Sequence, residues 1–400
     1  MKVDDNDIAK AIQEQPGILL QGEPMDPPAE GAAVDRELLP LSHWVPEAFD
    51  LFAERSKPEA FVPWPADWSN LERLVPHGLL PGLHILVGAT GSGKTQWALQ
   101  LAVTAARGEP GREPVPVLFV ALEADAGYAD LVARVSDMTG HGQAVGGWSG
   151  IYRGEAARSG ALPEVRAKAA PFIQSLSLVA ARGPLTVDAL CLLCRRFADG
   201  HKRTNGQPAL VVVDYLQRVD VGAEDRRAAM GRLSATLRKV STEEGLAILA
   251  LSSTARDNYG TLLVELERKA GALELGKLDG LRQWMPGTYS PERLVGLGKE
   301  AGELEYDADT VLTIVKGKVS GKVSGKADVH WVAVSKQRAG RAHWAPMHFE
   351  WTARGMAWAD REPEASADRE PEASAPKPRR RTEGKGSTAR NGNSINLLEP

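Results

Sequence analysis

Five short apolar runs alternate with helix-like segments through the middle of the chain. "LHILVGA", "VPVLFVAL", "LSLVAA", "ALVVVDYL" and "LAILALSS" are nearly continuous in aliphatic residues. Between them lie stretches with helical character, such as "KTQWALQLAVTAARG", "GYADLVARVSDMTG" and "DRRAAMGRLSATLRKVSTEEG". Strands without polar alternation have both faces covered, so the pattern predicts an α/β fold: a mostly parallel sheet with helices on both sides. Past residue 310 the pattern changes. "TVLTIVK", "VHWVAVSK", "MHFEWTA" and "MAWAD" read as strands joined by short turns, expected to add antiparallel strands at one edge. "GKVSGKVSGKAD" between the first two reads as a hairpin loop.

The two ends differ from this middle. Residues 1–72 hold nine of the 26 prolines, with 15 acidic and 5 basic residues, net −10. "GEPMDPPAEGAAVD" does not pattern as a packed element, whereas "FVPWPADWSNLERLVPHG" carries aromatics suited to docking on the core as an extended arm. Residues 360–375 are "DREPEASA" twice, followed by "PKPRRR" and a Gly/Ser/Asn-rich end. The expected organisation is an acidic, partly disordered arm over 1–72, one α/β domain over 73–359, and a low-complexity, disordered tail over 360–400. The tail holds eight residues of each sign, so the domain carries +6 of the total −4. That balance is compatible with nucleic-acid binding and does not establish it.

Cys191 and Cys194 are the two cysteines of the chain. They fall in the amphipathic "LTVDALCLLCRRFADGHK", without a second pair or a flanking His, and read as core thiols rather than a metal or redox site. No run of about 18 apolar residues predicts a membrane span. The start "MKVDDNDIAK" lacks the basic-then-apolar layout of a secretory signal. The expectation is a cytoplasmic, reduced protein.

"GATGSGKT" carries the chemistry. Gly88, Ala89, Thr90, Gly91, Ser92, Gly93, Lys94 and Thr95 match G-x-x-x-x-G-K-[ST], after a strand and at the start of a helix. The glycines let backbone N–H groups turn inward around phosphates, and the helix N-terminus adds its positive end. Lys94 is expected to reach the β- and γ-phosphates of ATP and Thr95 to hold Mg²⁺. A metal-orienting carboxylate is expected at the end of a neighbouring strand, and Asp214 in "LVVVDYLQ" supplies it. Glu123 in "VLFVALEAD" is the natural candidate to orient the attacking water, with Asp125 its rival; spacing alone does not choose.

In this order, the motifs resemble the ATPase domain of the DnaB-type replicative hexameric helicases, within the RecA-like superfamily. "GLLPGLHILVGATGSGKTQWALQLA" is similar to that family's opening strand, P-loop and helix, and "VLFVALEADAGYADLVARV" to its second strand. There the resemblance puts the catalytic glutamate on Glu123. "ALVVVDYLQRV" resembles its fourth motif. "LALSSTARDNYG" sits where the fifth strand ends in a sensor segment, with Ser253 at a position that is often Gln. "EAGELEYDADTVLTI" and "VSKQRAGR" resemble two late motifs. The similarity covers roughly residues 74–352. It departs in three places: Ser253 stands at that often-Gln position, the first 72 residues do not read as the helical domain those helicases carry ahead of the ATPase, and residues 258–298 form an insertion after the fifth strand.

The resemblance implies a RecA-like P-loop ATPase that forms a ring, expected to be a hexamer with nucleotide at its interfaces. It implies a helicase or translocase on single-stranded DNA, in replication of a plasmid, phage or mobile element. A loader or replication partner would bind through the N-terminal arm. The loops after the fourth and fifth strands would line the channel, making Arg218, Arg226, Arg227, Arg256 and Lys269 candidate DNA contacts. Lys336 and Arg338 flank Gln337 near a strand end, so period-2 geometry puts both on one face. The resemblance gives them the trans role at a neighbour's nucleotide. The alternative is a nucleotide-switched oligomeric scaffold or regulator without unwinding activity.

Overall fold

The structure, a computed structural model, describes residues 45–122, 127–138, 145–180, 185–201, 208–222, 225–254, 291–295, 301–316, 328–338, 340–352 and 355–359. Helices α1 (Val45–Arg55) and α2 (Ser69–Leu74) precede strand β1 (Gly82–Gly88) and helix α3 (Lys94–Arg107). Then come β2 (Val117–Ala121), α4 (Gly127–Ser136), α5 (Gly147–Tyr152), α6 (Glu155–Arg158), α7 (Leu162–Ser175) and β3 (Leu176–Ala180). A short β4 (Leu185–Thr186) leads into α8 (Val187–Gly200), β5 (Ala209–Asp214), β6 (Val219–Asp220), α9 (Arg226–Glu244) and β7 (Leu246–Ser253). The last elements are α10 (Ala301–Asp307), β8 (Thr310–Lys316), β9 (Asp328–Gln337), β10 (His343–Thr352) and β11 (Gly355–Ala359).

Nine strands form one sheet in the order β11-β10-β9-β8-β1-β7-β5-β2-β3. The six from β8 to β3 run parallel, and β9, β10 and β11 continue antiparallel. This is the expected RecA-like α/β architecture, with one correction. "TVLTIVK", read as an antiparallel addition, is β8, and it pairs parallel to β1. Helix α10 precedes it and provides the crossover a parallel strand requires. The reversal starts one strand later, at β9.

Alternate side chains of the strands feed two cores. On one face Leu86, Phe119, Val212 and Leu249 pack with α3 and α4; on the other Ile85, Val87, Val120 and Val213 pack with α8, α9 and α10. Cys191 and Cys194 are buried free thiols of α8 in that second core, as their spacing on an apolar helix face predicts. Burial pushes both thiols up, Cys194 the further.

The packed core begins ahead of the boundary expected at residue 73. Trp64, Trp68 and Leu71 are fully buried, Trp68 stacks on Trp97 of α3 at 4.4 Å, and its indole N–H donates to the Trp358 carbonyl at 2.8 Å. This is the docking that the aromatics of "FVPWPADWSNLERLVPHG" suggest, with Pro63 and Pro65 holding the segment extended while its indoles find partners. Residues 1–44 and the tail 360–400 lie outside the described residues.

Candidate nucleotide site

Strand β1 ends at Gly88, level with Ser253 of β7 and Ile314 of β8. The chain then turns and enters α3 at Lys94. Gly93 takes φ 86°, and a Cβ there would come within 2.9 Å of the Trp358 ring, so conformation and space both demand glycine. A Cβ on Gly88 would lie 2.6 Å from the Ser92 hydroxyl oxygen. That hydroxyl is buried and makes no hydrogen bond. The Lys94 ammonium donates to the carbonyls of Gly88 and Ala89 at 2.7 and 2.9 Å, folded over the loop it would share with phosphate. The Thr95 hydroxyl donates to Asp214 Oδ2 at 2.8 Å, although β5 is separated from β1 by β7. Two hard oxygens so close, beside a P-loop, suit a small divalent cation.

Gly93, Lys94, Thr95 and Asp214 line an open cleft of about 380 Å³, whose walls also include Arg134, Trp148, Tyr215 and Ser253. The Arg134 guanidinium lies 4.0 Å over the Trp148 ring, its Nε donates to Asp130 Oδ2 at 2.7 Å, and its Nη1 donates to Gln96 Oε1 at 3.1 Å. Neither wall stands out in the sequence. Arg134 with Asp130 looks like an ordinary i,i+4 surface pair, and Trp148 stands in a Gly-rich stretch without a pattern. Ser253, read as the sensor, does sit at the cleft. Its backbone N–H meets Gln217 Oε1 at 3.4 Å, and Gln217 Nε2 donates to the Ser252 hydroxyl at 2.8 Å. Gln217 thus ties the ends of β5 and β7 together, a role that one polar residue after a strand does not announce.

Glu123 and Asp125 lie outside the described residues. Leu122, just before them, donates its N–H to the Asp214 carbonyl at 2.7 Å. Arg256, Lys269 and most of the insertion 258–298 are likewise outside. Of the remaining DNA candidates, Arg218 Nε donates to the Tyr215 hydroxyl at 3.1 Å, and Arg226 Nη2 donates to the Gln217 carbonyl at 2.7 Å. Arg227 lies in the first turn of α9, its N–H capped by Asp225 at 3.0 Å.

Lys336 and Arg338 are far from this cleft. Gln337 pairs with Thr310, and Thr310 with His84, four residues down β1 from Gly88. The pair therefore sits at the other end of the sheet, roughly 13 Å further along the strand direction at ~3.3 Å per residue. The two side chains do converge, as period 2 predicts. Lys336 Nζ donates to the carbonyls of Glu305 and Tyr306, and the Arg338 guanidinium approaches those of Tyr306, Asp307 and Ala308 at 3.4–3.5 Å. Burial, then repulsion from Arg338, pulls the Lys336 ammonium below the ordinary lysine value.

Comparisons with known proteins bear on the family and the fold. The AAA_25 family, described as an AAA domain, matches residues 55–258, and the chain belongs to that family. Its fold is similar to the ATPase domain of G40P (TM-score 0.54, 19% identity, 78% of this chain and 97% of that one). It is also similar to a DnaB-like replicative helicase solved for its interactions with primase (TM-score 0.53, 18% identity, 80% of this chain). This chain spans 66% of that helicase's length. A KaiC-like protein of the hyperthermophilic archaeon Pyrococcus horikoshii aligns with TM-score 0.42 and 17% identity, covering 74% of this chain and 97% of that one. The search of curated proteins gave no match. The P-loop and the family match together make the chain a P-loop ATPase, and its fold is RecA-like. Among the described residues, no helix is long and apolar enough to cross a membrane.

Proposed function

We propose that the protein is an ATP-driven, ring-forming motor that moves on single-stranded DNA. Lys94 and the P-loop N–H groups hold the triphosphate. Thr95 and Asp214 would hold Mg²⁺, which would supply positive charge beside the triphosphate when bound. Glu123 orients the attacking water as its general base, and Ser253 and Gln217 report the state of the cleft to β5 and β7. Lys336 and Arg338 complete the site of a neighbouring subunit, where positive charge at the γ-phosphate is worth about 10³–10⁵ in rate.

The observation that carries this reading is the separation of the two halves. A complete P-loop lies at one end of the sheet and a Lys–Arg pair at the other. A single subunit cannot bring both to one nucleotide; adjacent subunits in a ring can. The experiment is ATP-dependent strand displacement, together with ATPase rates with and without single-stranded DNA at two salt concentrations. Displacement with DNA-stimulated turnover supports the motor.

One observation favours the second reading, a nucleotide-switched scaffold. Arg218 and Arg226 already bond to Tyr215 and Gln217 within the subunit. A protein that hydrolyses ATP, alone or with a loader, and never displaces a strand belongs to that class.

A further inference from the structure

Two guanidiniums meet one carboxylate at the end of the sheet remote from the P-loop. Asp309 Oδ1 lies 3.4 Å from Arg338 Nε and 3.4 Å from Arg238 Nη2. Its Oδ2 accepts the Leu83 N–H at 3.0 Å. The backbone is fixed as well: the Asp309 N–H donates to the Leu83 carbonyl at 2.7 Å, and the Arg338 N–H donates to the Asp309 carbonyl at 2.9 Å. A Cβ on Gly82 would fall 2.7 Å from Oδ2, so glycine leaves the room for the carboxylate to lie against the start of β1. Beside it, the Ser234 hydroxyl donates to Asp307 Oδ2 at 2.6 Å, joining α9 to α10 at the same level.

These contacts are unequal in what they restrain. Lys336 is held by the carbonyls at the end of α10 and needs no carboxylate. Among the described residues, the Arg338 guanidinium, its side chain 42% exposed, meets carbonyls at 3.4–3.5 Å and has Asp309 as its charged partner. Without that partner its long, rotamer-rich side chain has little to keep it in one direction.

We infer that Asp309 is the positioning residue for the Arg338 guanidinium, holding it at the sheet end for delivery to a neighbour's γ-phosphate while Arg238 fixes the carboxylate from α9. This rests on the trans role proposed above. Sharing Oδ1 between two guanidiniums keeps the attraction to either one weak enough for phosphate oxygens to compete, because a carboxylate pairing with one guanidinium alone would hold it back.

Asp309→Asn keeps the shape and removes the charge. The expected result is a fall in kcat of about 10- to 100-fold, the cost of a misdirected group, with the KM for ATP unchanged within about twofold. Asp309→Glu should recover part of the loss. Mixed oligomers then locate the defect. Asp309→Asn mixed with the P-loop variant Lys94→Ala should regain turnover, since some interfaces pair an intact P-loop with an intact finger. Asp309→Asn mixed with Arg338→Ala should not. If Asp309→Asn fails to fold or assemble, Arg238→Gln decides in its place, with a smaller fall in kcat and the same complementation pattern. Wild-type turnover in the folded carboxylate variant, or its rescue by Arg338→Ala but not by Lys94→Ala, overturns the inference. Full activity of Arg338→Ala, or no recovery when Arg338→Ala and Lys94→Ala share oligomers, instead removes the trans role itself, a result distinct from failure at Asp309 alone.

Discussion

Thr95 of helix α3 and Asp214 at the end of β5 touch directly, hydroxyl to carboxylate at 2.8 Å, although β7 lies between β5 and the strand that leads into α3. The contact brings together two oxygens that a divalent cation would separate and share. Asp214→Asn should therefore raise the Mg²⁺ concentration needed for half-maximal ATPase and lower the plateau about 100-fold or more. A magnesium titration of the variant checks this; an unchanged midpoint removes Asp214 from the metal.

Glu123→Gln should bind ATP and fail to turn it over, since the amide matches the carboxylate in shape and cannot take a proton. Nucleotide binding by equilibrium titration and turnover by phosphate release separate the two effects. If Asp125→Asn shows this phenotype and Glu123→Gln does not, the base is the other carboxylate.

Trp68 is fully buried, stacked on Trp97, and bonded through its indole to the backbone of β11. Trp68→Ala should cost about 3–5 kcal/mol of stability, as large aromatic deletions in cores do. The variant also loosens β11, whose Trp358 exchanges backbone hydrogen bonds with Gln100 and lies against Gly93. Weaker ATP binding should accompany the lower denaturant midpoint. Unfolding curves and ATP titrations on the same samples test both parts.

The Lys336 ammonium is pulled below the ordinary lysine value by burial first, then by Arg338 and Arg238, against the opposite pull of Asp309 and Asp307. A lowered pKa means that the charge is lost at lower pH than in a free lysine. On the proposed role, turnover should fall on the alkaline side earlier than an ordinary lysine allows. Lys336→Arg stays charged throughout and should move that fall to higher pH. The pH–rate profiles of both proteins decide it, and coincident alkaline limbs would detach Lys336 from catalysis.

The parallel sheet and the P-loop were readable because each has a local signature: continuous aliphatic runs for strands buried on both faces, and a fixed glycine spacing between a strand and a helix. Asp214 followed from the same logic, as a carboxylate closing an apolar run. What escaped depends on distant pairing. β8 was misread because the direction of a strand is set by its connection, and α10 is too short and too acidic to stand out. The aromatics of the Trp64–Trp68 segment point to docking, but their partners Trp97 and Trp358 are set by distant pairing. Trp148 is visible only where α5 meets the cleft. Asp309 looks like one acid in an acidic run until Arg238 and Arg338 converge on it from 71 and 29 residues away.

The placement of P-loop and Lys–Arg pair at opposite ends of one sheet has a consequence for symmetry. A two-fold dimer with its subunits laid antiparallel would set each P-loop beside the other's finger, because residue i then meets j and j meets i, and it would stop at two. Head-to-tail contact instead joins unlike ends once per interface, and such contact repeats until it closes on itself or runs on as a helical filament. In the proposed ring, assembly is therefore directional, with each subunit served by one neighbour and serving the other. In an unclosed assembly one terminal subunit holds nucleotide that nobody completes, so activity per subunit should rise with assembly and reach its ceiling on closure.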